Sequence, residues 1–182
     1  FLKYNKVKFI KKNLIDEIKK QKINENLPFY SLKKKIVGES TNSKLNKISK
    51  CLIKNKSDYL FVSSPENVAW VLNIRGSDGP NSPVPNSRLI ISKTKKVILI
   101  STIQKSRRLI KEKVIKKSQL ISVNDFPSKI SQLTGKNFVV DNSTCSIFYE
   151  DIIKSKFKIL KKEDPIYLLK AIKNQVEINN TK

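Results

Sequence analysis

Apolar positions recur at helical spacing in the first part of the chain and change to short β-rich runs after residue 57. Ile10, Leu14, Ile15 and Ile18 fall on one face of the stretch Val7 to Lys22, with lysines between them, which predicts an amphipathic helix. The irregular NENLPFYSL follows. A capping group at Ser40 to Asn42 then precedes Leu45, Ile48, Leu52 and Ile53, the inner face of a second helix ending near Asn55. DYLFVS, Asp58 to Ser63, reads as a buried strand. Ser64-Pro65-Glu66 opens a helix PENVAWVLN, with serine as cap and proline at a position whose N–H is not needed.

The next stretch, IRGSDGPNSPVPNS, holds two of the four glycines and three of the seven prolines, so it is a structured, non-regular loop. SRLIISK and KVILIST are β-rich runs around a short lysine-rich turn, the pattern of a hairpin. Helical spacing returns through Ile103, Ile110 and Val114. Strands around 119–123, 137–141 and 156–160 then alternate with helices over 127–133 and 146–154, which indicates an α/β sheet flanked by helices. A last helix is expected from Asp164-Pro165 through Lys170 and Ile178 to the final residue. Its uncapped end, and the absence of any Met, suggest a piece of a longer chain.

Composition narrows the chemistry. At 182 residues and 38% hydrophobic, the chain suffices for one globular domain with extensions. No uncharged stretch exceeds nine residues, against the roughly 20 apolar positions of a spanning helix, so no membrane partner is expected. The start lacks the apolar run of a signal peptide. The net charge of +23 points first to a polyanion. Yet 34 Lys stand against only 4 Arg, beside 24 Ile and 17 Asn, the signature of AT-rich codons rather than of a phosphate- and base-gripping surface, where Arg is favoured. A dedicated nucleic-acid site is therefore disfavoured, and solvated faces account for the lysine runs.

With no His, neither a Ser/His/Asp nor a Cys/His site can be built, and most catalytic zinc sites are excluded. Cys51 and Cys145 form no metal-spaced pair, fit a buried small-hydrophobe role, and suit a reducing cytoplasm. The acidic pairs Asp16-Glu17, Glu150-Asp151 and Glu163-Asp164 point apart on a helix and suit solvated or capping roles. No GxGxxG or P-loop is present. The aromatics of YLF and IFY, with Trp70, belong to a core. Arg75 and Asp78 sit on a stiff Gly/Pro loop, where they either form a local ion pair or face a ligand.

Asp58, Ala69-Trp70, Asn73-Ile74-Arg75-Gly76, Asp78 and Asn81-Ser82-Pro83 resemble a run in the middle domain of the Xaa-Pro aminopeptidases (aminopeptidase P) of the creatinase/prolidase family. Pro165, Lys170-Ala171-Ile172-Lys173-Asn174 and Glu177-Ile178 resemble the helix that opens the catalytic domain of that family, and Asn13-Leu14-Ile15-Asp16 the close of its first domain. The resemblance implies a ribonuclease-H-like α/β fold over 36–163. It makes 1–35 the end of a preceding domain and 164–182 the first helix of a pita-bread catalytic domain.

The resemblance further implies a cytoplasmic, homodimeric parent acting on peptides with proline second. Two divalent metals, usually manganese, are held in that parent by Asp, His and Glu residues of the catalytic domain. No cofactor and no catalytic or metal residue falls in this chain, and Asn73, Arg75, Asp78 and Asn81 become the expected contacts to substrate or to the catalytic domain. The other readings are a free-standing basic module for nucleic acid or an acidic protein, and a short form that pairs with full-length subunits.

Overall fold

The computed structural model describes Ile10, residues 27–79 and residues 81–181. The expected helix over Val7 to Lys22 and the Asn13–Asp16 segment lie outside the described residues, Ile10 apart.

The main sheet has six strands in the order β6-β5-β4-β2-β7-β8. They are β2 (Tyr59–Val62), β4 (Arg88–Ser92), β5 (Val97–Ile100), β6 (Leu120–Ile121), β7 (Asn137–Val140) and β8 (Lys158–Lys161). Only β4 runs against its neighbours, pairing antiparallel with β2 and β5, while β2, β7 and β8 are mutually parallel, as are β5 and β6. The sheet is mixed and flanked by helices, within the expected α/β class. The central strands are largely apolar because a core lies on each of their faces, the usual reason for a continuous hydrophobic run in place of alternation.

The period of two still sorts side chains between two cores. Leu60, Val62, Leu89, Ile91, Leu99 and Val139 face one side, together with α2 (Thr41–Lys54), α3 (Pro65–Leu72), α4 (Ile103–Lys111) and α7 (Ile166–Ala171). Phe61, Ile90, Ile100, Phe138 and Val140 face the other, under α5 (Phe126–Gln132) and α6 (Ile147–Lys154). There Phe61, Phe126 and Tyr149 form a triangle with ring centroids 5.0 to 5.6 Å apart.

Several expectations change. The segment 27–39 contributes β1 (Tyr30–Ser31), paired with β3 (Ile74–Arg75), and α1 (Lys34–Val37), while Phe29 is fully buried in the first core. The final helix is two: α7 stops at Ala171, Ile172 is extended, and α8 (Gln175–Asn179) restarts on a capping box. Asn174 Oδ1 accepts from the backbone N–H groups of Val176 and Glu177, and Glu177 accepts from Asn174 N–H, which favours a fresh helix start over continuation. Helix α4 ends at Lys111, since Lys113 adopts φ 57° and turns Val114 back to donate to Leu109. Ser64 stands at the start of α3, but its buried hydroxyl finds no partner among the described residues. Ile147 and Phe148 are exposed, leaving only Tyr149 of the IFY run in the core. Both cysteines are half-buried.

Candidate functional site

Helix α3 ends where Asn73 takes a left-handed conformation (φ 55°, ψ 42°), which asparagine tolerates better than most residues. Its side chain is tied on both ends. Oδ1 accepts from Lys44 Nζ at 2.6 Å, and Nδ2 donates to the Glu39 carbonyl at 2.9 Å. Lys44 is only 1% exposed. Its ammonium also donates to the Trp70 carbonyl at 2.8 Å and lies 4.2 Å from the centre of the half-buried Trp70 ring. Two hydrogen bonds and a π face make this buried cation tolerable. Burial pushes its pKa down to about 8, against the pull of Glu39 and Glu177.

The following loop is pinned rather than free. A Cβ on Gly76 would stand 2.8 Å from Pro85 Cα and 3.0 Å from the Phe29 ring, so only glycine fits. The Asp78 side chain, 7% exposed, accepts from Lys105 Nζ at 2.7 Å and from the Asn86 backbone N–H at 2.6 Å. The Arg75–Asp78 pair, one of the two expected arrangements, therefore does not form: the α4 lysine occupies Asp78, and Arg75 Nη1 donates to the Ile74 carbonyl at 2.8 Å. Of the four singled-out residues, Asn73 and Asp78 hold the loop's shape, while Arg75 is half-exposed and Asn81 exposed.

The helix that carries part of the first motif and the segment that carries the second meet in space. Asn67 of α3, fully buried, accepts from Lys170 Nζ at 2.8 Å and donates to Asp164 Oδ2 at 2.9 Å. Asp164 Oδ1 accepts from Ile166 N–H at 2.9 Å, and Asp164 N–H reaches Asp141 Oδ2 at 3.0 Å. Further on, Asn174 Nδ2 donates to the Val37 carbonyl at 2.9 Å and packs so tightly on Gly38 (φ 71°) that a Cβ there would lie 2.1 Å from Asn174 Oδ1. The KAIKN segment is thus clasped to α3 and to the turn after α1. Burial, with the nearby Asp141 charge adding to it, pushes the Asp164 carboxyl up to about 6; hydrogen bonds from Ile166 N–H and Asn67, and the Lys170 charge, oppose this. Asn67 and Asp141 carry no sequence signal that would have marked them.

Asp58 at the opposite end of β2 is structural too. It accepts from Lys93 Nζ at 2.8 Å and from the Lys136 and Asn137 N–H groups at 2.7 and 3.1 Å, which together hold its carboxyl down at about 2. Burial, helped by Glu150, pushes the Cys145 thiol up to about 11, which makes it a poor nucleophile. Among the described residues no group of three or more His, Cys, Asp or Glu could hold a metal ion, and no helix is long and apolar enough to cross a membrane.

Residues 20–177 match the Creatinase/Prolidase N-terminal domain family, and the chain belongs to it. Among curated proteins it is 31% identical to Xaa-Pro aminopeptidase 1 of Dictyostelium discoideum, over 93% of this chain and 28% of that protein. It is 29% identical to Xaa-Pro aminopeptidase ApepP of Drosophila melanogaster, with the same two coverages. The chain thus spans under a third of the length of these relatives. Among solved structures, the X-prolyl aminopeptidase of Caenorhabditis elegans, described as a cytosolic enzyme with a di-nuclear active site, superposes with TM-score 0.71 at 21% identity, over 92% of this chain and 29% of that one. The N-terminal domain of Xaa-Pro dipeptidase from Lactobacillus brevis superposes at 0.51 and 10% identity, covering 71% of this chain and 99% of its own. Here the fold stands as a separate domain.

Proposed function

We propose that this chain is the non-catalytic N-terminal part of an Xaa-Pro aminopeptidase, which removes the residue preceding a proline in second position. The relatives support this reading: they are Xaa-Pro aminopeptidases, and the chain matches under a third of their length. The dinuclear site, with manganese as the favoured metal, belongs to a catalytic domain in the same polypeptide, and the enzyme works as a cytosolic homodimer to whose contacts this domain contributes. Such a metal pair would supply the hydroxide that attacks the scissile carbonyl. This domain's part is to narrow the entrance.

The observation that carries the assignment of surface is the pinned loop after α3. Asn73 and Asp78 stiffen it from behind, and Arg75 and Asn81 are left to meet peptide or catalytic domain. The segment 164–181 serves both sides, packed on this domain through Ile166 and leading onward to the next. In the full-length enzyme, Arg75→Ala and Asn81→Ala are expected to raise KM for an X-Pro peptide several-fold with an unchanged melting temperature. Kinetics indistinguishable from wild type in both variants would remove the loop from the substrate path.

A further inference from the structure

The second face of the main sheet is incompletely roofed. The crossover from β6 at one edge to β7 beyond the centre carries a single helix, α5, of seven residues, only about 10 Å long. Phe126 and Ile130 of α5 pack with Phe61, Ile90 and Ile100, and among the described residues no helix extends over the starting end of β2 or the hairpin end of β4 and β5. A half-open cleft of about 870 Å³ results. Tyr59 and Ile98, on a core-facing side of the sheet, and Leu133, at the end of α5, line the cleft and are only half-buried.

Lysines line the same cleft. Lys96, Lys116 and Lys129 line the cleft, and none makes an ion pair among the described residues. The single lining carboxylate, Asp58, is already engaged by Lys93 and two backbone N–H groups. Three lysines without an ion pair among the described residues, lining a cleft of mixed polar and apolar character beside Ile98 and Leu133, favour a ligand with a negative head and an apolar body. Lysine is abundant everywhere on this chain, and what distinguishes this place is that three of them line one cleft together with half-buried apolar side chains.

We propose that the cleft binds a small amphiphilic anion, with a carboxylate or phosphate head held by Lys96, Lys116 and Lys129 and an aliphatic or aromatic body lying on Ile98 and Leu133. The volume lies within the roughly 300–1,000 Å³ of small-ligand pockets. Other occupants fit less well. A second copy of a chain with net charge +23 would set lysine against lysine. A nucleic acid would need a stacking platform, but the Tyr59 ring is packed against Phe138 and Phe157 and its hydroxyl is bound to the Thr134 carbonyl. The proposal is independent of the peptidase reading.

Calorimetric titration of the natural full-length chain with octanoate, octanol and acetate tests it. Octanoate is expected to bind saturably, at least tenfold more tightly than either comparator, because head and body are both required. The triple variant Lys96→Gln, Lys116→Gln, Lys129→Gln should weaken octanoate at least tenfold. The triple variant Lys50→Gln, Lys54→Gln, Lys158→Gln removes equal charge from exposed positions elsewhere and should leave binding unchanged. Equal weakening by both triples, octanol binding as tightly as octanoate, or binding to anionic phosphatidylglycerol vesicles without any to monomeric octanoate would each overturn the proposal.

Discussion

Asp164 offers a quantitative test of the clasp between the KAIKN segment and α3. Its carboxyl is 2% exposed and its pKa is pushed from 3.8 up to about 6. A raised carboxyl pKa means that folding penalises the ionised form. The penalty is fully present above the folded value and is relieved as pH falls through 6 towards 4. Two pKa units correspond to about 3 kcal/mol. Asp164→Asn removes the charge and keeps an acceptor for Ile166 N–H. It loses the Asn67 bond, because the new amide would face the Asn67 amide donor, whose carbonyl oxygen is held by Lys170.

The two effects separate by their pH dependence. Urea unfolding of the 182-residue chain at pH 7.5 and pH 5 should show wild type gaining about 1–1.5 kcal/mol more on acidification than Asp164→Asn does, half of the full penalty, because pH 5 lies midway between the two pKa values. Carboxylates common to both proteins cancel in this comparison. Equal pH dependence in the two proteins would show that Asp164 is not held in an unfavourable ionised state.

Trp70 is the only tryptophan, so the ammonium over its ring can be followed directly: emission should titrate near pH 8 in wild type and lose that step in Lys44→Met. A surviving step near pH 8 would assign it to another group. Gly76→Ala should cost about 1–3 kcal/mol, read as a lowered melting temperature, because the methyl would meet the Pro85 backbone. Asp58, with its pKa held down at about 2, contributes stability that is present above pH 4 and lost as pH falls through 2. Asp58→Asn should therefore be less stable than wild type at pH 7, and the gap should close in acid.

Much of the sheet was legible because its strands are short, β-branched and bounded by turn residues, and the hairpin of β4 and β5 announced itself through the lysine-rich turn. Strands β1 and β3 were not legible: two residues each, they exist only because Phe29 enters the core and draws the two segments together. The break at Ile172 could have been read. Asn174 and Glu177 have capping-box spacing, but the apolar positions on either side suggested one continuous helix. The loop residues stand out through a family resemblance and a stiff loop, and two of the four, Asn73 and Asp78, have their side chains held by internal partners. Side chains that fix a backbone and side chains that meet a ligand are drawn from the same polar types, and only the positions of Lys44 and Lys105 separate Asn73 and Asp78 from Arg75 and Asn81.

The clasp also bears on where this polypeptide can be divided. Severing it between Glu163 and Asp164 would take Ile166 out of the first core, strip Asn67 of both its partners and leave Asp141 without the Asp164 N–H. An excised domain ending at 163 would thus carry a raw wound at α3, whereas one extended past Asn180 would keep that face sealed and could be grafted, swapped or crystallised as a unit.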